Sequence, residues 1–136
     1  MSIKDLQVFP LKKFQAEGTL VFMEHQNPVP FAVNRVFCVT GVAPGATRGD
    51  HAHRECKQAL VCVRGAIEVL CDDGREKRRV ELTSSDKLLY VPPMIWASET
   101  YRTEDTVLVV LADLPYDNAD YLRDYAEYLA LRGISS

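Results

Sequence analysis

GATRGDHAHRECKQALVCVRG, running from Gly45 to Gly65, is the stretch on which the reading of this chain turns. His51 and His53 are separated by one residue, and successive side chains of a strand point to opposite faces. The two imidazoles therefore share a face and enter the same pocket if the segment is extended. Histidine has an unperturbed pKa of about 6.5, so such a pair can take and return protons near neutral pH. It can also bind a divalent metal, or be two satisfied core residues with no chemical task.

The surroundings are β-rich. GTLVFMEH (18–25), NRVFCVT (34–40), KQALVCV (57–63), AIEVLC (66–71), KRRVEL (77–82), KLLYVP (87–92) and DTVLVVLA (105–112) read as strands. Arg64-Gly65 and Asp72-Asp73-Gly74 suit tight hairpins, and Pro28-Val29-Pro30 and Pro92-Pro93 mark ends or edges. Short strands with regular punctuation predict a β-sandwich or barrel. In DNADYLRDYAEYLALRG (117–133) the period changes: Tyr121, Leu122, Tyr125, Tyr128 and Leu129 recur at helical spacing. Asp117 or Asn118 can cap that helix and Gly133 can end it. The expected organisation is one domain over 1–136, with a barrel over about 14–113 and a helix over about 117–132.

Composition narrows the class. The 136 residues are 47% hydrophobic and 26% charged, ordinary for a globular domain. Nineteen acidic against sixteen basic residues give a net charge of −3, which argues against a nucleic-acid binder. No run approaches the ~18 apolar residues of a membrane span, and the N-terminal residues show no secretory h-region. Cys38, Cys56, Cys62 and Cys71 have no CxxC spacing, so free thiols in a reducing cytoplasm are expected. Cys38 and Cys62 lie inside apolar runs and are expected to be buried.

Gly45, five residues, His51-Ala52-His53, then Gln58, six residues and Gly65 resemble the first cupin motif position by position, with Gln58 in place of its Glu. The second motif is best matched by Pro92-Pro-Met-Ile-Trp96-Ala97, which puts Ala97 where that motif has a His. Two neutral imidazoles and an amide are a poor donor set for a divalent ion. No metal and no cofactor are expected, and His51 and His53 are read as acid/base groups.

Beyond the motif, the chain resembles the sugar-nucleotide 3,4-ketoisomerases, small cupins acting on dTDP-4-keto-6-deoxyglucose. The resemblance rests on PFAVNRV (30–36), RGDHAH (48–53), Gln58 through Gly65, Asp72-Asp73-Gly74, Trp96 and the pattern Tyr116-Asp117-x-x-Asp120-Tyr121-x-Arg123-x-Tyr125. It implies an all-β cupin jelly-roll with a C-terminal α-helix, a homodimer, a dTDP-linked keto sugar as partner, and the synthesis of deoxy or amino sugars of surface glycans. It implies His51 as principal base and His53 as its partner. Arg48, Phe37, Gln58 and Trp96 are then substrate contacts, Arg48 holding diphosphate or enediolate charge. Two positions depart from the family: Phe37 stands where a tyrosine is common, and Trp96-Ala97 where Trp-His is common. An epimerase of the same substrate class and a non-catalytic sugar-nucleotide-binding module are the alternatives, with a metal-dependent dioxygenase disfavoured by Gln58 and Ala97.

Overall fold

A computed structural model describes residues 1–134. In chain order, β1 (Gln7–Pro10) precedes the hairpin of β2 (Lys13–Ala16) and β3 (Gly18–Val21), then the short strands β4 (Glu24–His25) and β5 (Pro28–Val29). β6 (Arg35–Val39), β7 (Thr47–His53), β8 (Gln58–Arg64), β9 (Ile67–Asp72) and β10 (Lys77–Leu82) follow. The order closes with β11 (Lys87–Val91), β12 (Trp96–Tyr101), β13 (Val107–Ala112), β14 (Tyr121–Leu122) and helix α1 (Tyr125–Leu131). Two five-stranded sheets, β1-β11-β8-β13-β6 and β10-β9-β12-β7-β14, face each other. This is the expected all-β cupin jelly-roll with a C-terminal helix.

Alternation along the strands fills the space between the sheets. Leu60 and Cys62 of β8, Val69 and Cys71 of β9, Leu89 of β11, and Leu108 and Val110 of β13 point inward into one apolar cluster. The outer face of the first sheet is also covered: Leu11, Val29 and Phe31 pack on Ala59, Val61, Leu88 and Leu111. That double burial is why β8 reads as a continuous apolar run rather than an alternating one. On the second sheet, Tyr128 and Leu129 of α1 pack over Ala52, Trp96 and Leu122.

Four expectations need correction. The first sheet begins at Gln7 rather than near residue 14, because β1 pairs antiparallel with β11, and residues 13–21 form a hairpin outside both sheets. Arg64-Gly65 is not a hairpin turn: β8 and β9 lie in different sheets, so the turn carries the chain between them. A Cβ at Gly65 would meet Thr106 Cα at 2.7 Å, so the corner closes only with glycine there. The helix is shorter than 117–132. Asp117 caps a 3-10 turn (Asn118–Asp120), Tyr121–Leu122 pairs with β7, and Asp124 caps α1 itself. Finally, Cys38 is exposed, because it sits on the outward face of β6, an edge strand. Cys56, Cys62 and Cys71 are buried.

Candidate active site

β7 carries both histidines, and its path contains one irregularity. Gly49 and Asp50 adopt positive φ, 84° and 61°. The ladder with β12 slips there: Arg48 lies opposite Glu99 and Gly49 opposite Ser98, but His51 lies opposite Ala97. Asp50 is thus an extra residue, a β-bulge. In a regular strand Arg48 and His51, three residues apart, would face opposite sides of the sheet. The bulge restores them to one side. Its geometry is pinned by Trp96, whose indole Nε1–H donates to Asp50 Oδ1 at 2.9 Å.

A cavity of about 320 Å³ opens into the barrel beside this stretch. Phe37, Val39, Leu108 and Val110 give it an apolar side. Arg48, His51, Gln58, Glu99, Tyr121 and Arg123 give it a polar one. The Arg123 guanidinium lies 4.2 Å from the Tyr121 ring centroid and also donates to Asn118 Oδ1 at 3.0 Å. A third cation, Arg35, lies 5.4 Å from the centroid of the Phe37 ring.

His51 is half-buried, and burial lowers its pKa below 6.5. The Gly49 backbone and Asp50 oppose that shift, while Arg123 adds to it. At neutral pH it is a neutral imidazole able to accept a proton. His53 stands behind it rather than on the cavity wall. Its ring lies 5.0 Å from that of His51 and 4.4 Å from that of Tyr121. Its Nδ1–H donates to Asp120 Oδ2 at 2.9 Å, and among the described residues its buried Nε2 has no partner. Asp120 is itself fixed by the amides of Glu55 (2.7 Å) and Cys56 (3.3 Å). Burial pushes the His53 pKa down to about 4 against the pull of that carboxylate.

Of the six residues expected in the site, Arg48, His51, Phe37 and Gln58 line one cavity. His53 touches it through His51. Trp96 does not line it: the indole is buried against Tyr125 and Tyr128, with centroids 5.1 and 5.4 Å away. Its expected wall role is therefore corrected to a supporting one at the bulge. The sequence reading missed Glu99, Tyr121 and Arg123. WASETY lacks an alternating apolar pattern and did not read as a strand. The tyrosine spacing predicts a helix that includes Tyr121 and Arg123, whereas α1 begins only at Tyr125.

Among the described residues, the cluster able to hold a metal is His53, Cys56 and Asp120, whose donor atoms lie within 4.8 Å of one another. Its donors are engaged or unfavourable. His53 and Asp120 are hydrogen-bonded to each other, and burial raises the Cys56 thiol pKa. His51 does not belong to the cluster. No helix among the described residues is long and apolar enough to cross a membrane.

Comparison with known proteins shows the family. The family described as FdtA, WxcM-like, C-terminal, matches residues 2–133. The chain is 35% identical over 117 residues to a TDP-4-oxo-6-deoxy-α-D-glucose-3,4-oxoisomerase of Aneurinibacillus thermoaerophilus, covering 86% of this chain and 84% of the relative. It is similar to the crystal structure of QdtA, a sugar 3,4-ketoisomerase from Thermoanaerobacterium thermosaccharolyticum in complex with TDP. The TM-score is 0.92 at 30% identity, covering 96% of each chain. A mutant of the same enzyme was solved with TDP-4-keto-6-deoxyglucose. A 3,4-ketoisomerase from Helicobacter canadensis is similar at TM-score 0.91 and 27% identity, over 95% of this chain and 98% of that one.

Proposed function

The chain belongs to the FdtA (WxcM-like, C-terminal) family, and from that premise we propose that it is a sugar-nucleotide 3,4-ketoisomerase working by metal-free histidine acid/base chemistry. It interconverts dTDP-4-keto-6-deoxyglucose and a dTDP-3-keto-6-deoxyhexose. The observation that carries the chemistry is a neutral imidazole, His51, lining a cavity that also holds two guanidinium groups.

The reaction needs removal of the C3 proton, stabilisation of an enediolate and delivery of a proton to C4. His51 is the base, since it is the imidazole on the cavity wall and is unprotonated at neutral pH. Arg48 and Arg123 oppose the charge that develops on the oxygens, or hold the diphosphate, and are worth most where water is excluded. Gln58 offers a donor and an acceptor to the sugar hydroxyls, and Phe37 supplies an apolar wall. His53 is a positioning residue. Anchored by Asp120, it holds the ring of His51 edge-on. Trp96 acts at one further remove, through the bulge.

The protein works as a homodimer in the reducing cytoplasm and supplies 3-keto sugars for the deoxy or amino sugars of surface glycans. Free thiols support the compartment. Exposed apolar side chains on β6 and on the β2–β3 hairpin support self-association.

Incubation with dTDP-4-keto-6-deoxyglucose in deuterated water, followed by NMR, tests the proposal. Deuterium at C4 of a 3-keto product is expected. His51→Asn should lose about 10²–10⁴-fold in rate. A near-normal rate in that variant removes His51 as the base, and absence of both exchange and product in the wild type removes the isomerase itself.

A further inference from the structure

Glu99 is the one carboxylate among the residues lining the cavity, and the His51 mechanism leaves it without a task. It sits on β12 directly opposite Arg48. Two residues from Ala97, which faces His51 across the same ladder, it shares the inward face with both. Its carboxyl lies over Gly49: a Cβ there would overlap Glu99 Oε2 and meet the Ala97 carbonyl oxygen at 3.2 Å. Gly49 also has φ +84°, so the backbone at this point both requires glycine and leaves room for the acid. Among the described residues the Glu99 carboxyl has no ion pair or side-chain hydrogen bond, and its backbone partner is its own N–H.

A 3,4-keto shift moves two protons, not one. The carbon-bound proton goes from C3 to C4, and the hydroxyl proton must go from O3 to O4. Resting on the isomerase reading above, we infer that Glu99 carries the oxygen-bound proton between O3 and O4 while His51 carries the carbon-bound one. The step balances within the substrate. His51 breaks the C3–H bond, that pair forms C3=C4, and the carbonyl pair moves onto O4. The Glu99 hydroxyl gives its proton to O4 while the other carboxyl oxygen takes the proton from O3. The O3 pair then forms C3=O, and the C3=C4 pair takes the proton from His51 at C4. Both side chains end as they began, and no outside oxidant or reductant is needed.

The relay requires a carboxyl that is protonated in the working pH range. Burial raises the Glu99 pKa to about 7, partly opposed by its own backbone N–H and by Arg48. The charged and titratable groups around it are Arg48 and His51 from β7, Cys71 from β9, Tyr101 from β12 itself, and Tyr121 and Arg123 across the cavity. Arg48 favours the carboxylate, while burial favours the acid.

The test is Glu99→Gln, which keeps size and hydrogen-bonding capacity but cannot pass a proton through its two ends. In deuterated water with dTDP-4-keto-6-deoxyglucose, the variant should still wash deuterium into C3 of unreacted substrate. Formation of the 3-keto product should fall about 10²-fold or more, with KM within a few-fold of wild type. The wild-type kcat should decline as pH rises through about 7, and the residual activity of the variant should lack that decline. The wild-type limb can be measured even if the variant folds poorly. Wild-type turnover with no alkaline limb, or a variant with wild-type kcat and pH profile, overturns the role of Glu99 and leaves the isomerase standing. A wild type that makes no 3-keto sugar overturns both.

Discussion

His53 exchanges water for an apolar surround and a single carboxylate, and that exchange fixes a pH dependence. Its pKa is about 4 in the folded protein, lowered first by burial, against about 6.5 for a free imidazole. Between those values the unfolded chain binds a proton that the folded one does not. The stabilisation it contributes is therefore complete above about 6.5 and is lost as pH falls through about 4. Urea midpoints measured from pH 7 to pH 4 should fall, and a His53→Gln variant should lose part of that slope, on the order of 3 kcal/mol across the window. Parallel curves for the two proteins would refute the assignment. Glu99 works in the other direction. Its folded pKa is raised, so its contribution is full below about 4.5 and is lost as pH rises through about 7. Both values follow from position in the fold: a histidine in an alternating strand was legible as inward-facing, but nothing in the residue order states how dry its surroundings are.

At the level of the element, the bulge in β7 decides what the strand presents. Alternation alone places His51 and His53 together, and the sequence was sufficient for that. It would put Arg48 on the far face, and only the extra residue at Asp50 brings it back. Trp96→Phe removes the indole donor to Asp50 while keeping an aromatic ring. It should cost about 1–3 kcal/mol, since the acceptor is a carboxylate. It should also lower activity about 10–100-fold through misplacement of Arg48 and His51. Thermal melts and kcat measured on the same preparation check both. Unchanged activity at reduced stability would show that the strand keeps its path without the pin. The same strand explains the shortened helix: pairing of Tyr121 and Leu122 with His53 and Ala52 holds the chain extended where tyrosine spacing suggests a helix.

For the whole molecule, the first sheet ends in the uncovered edge strand β6, with Val36 57% exposed and Cys38 exposed beside it. Phe14 and Leu20, facing each other across the β2–β3 hairpin, are 62% and 58% exposed. Apolar groups of that size left in water on an edge and a projecting hairpin favour a second copy as cover. The wild type should sediment as a dimer. A Phe14→Lys, Val36→Lys double variant should sediment at half that mass with its circular dichroism unchanged. A wild-type monomer at micromolar concentration would contradict the arrangement.

The sequence by itself determined the fold class, the pairing of His51 with His53 and the poverty of the metal donor set. These depend on period, motif spacing and residue chemistry, all local properties. Family resemblance also singled out Arg48, Phe37 and Gln58, which line the same cavity as His51. Tertiary structure alone decided that Trp96 supports the bulge from outside the cavity and that Arg64-Gly65 bridges two sheets. It also brought Glu99, Tyr121 and Arg123 beside His51. Those outcomes depend on ladder register and on which sheet a strand joins, so the residues that settle them lie tens of positions apart. Within GATRGDHAHRECKQALVCVRG the spacing of the histidines puts them on one face, while the slip at Gly49-Asp50, visible only against β12, determines what stands beside them.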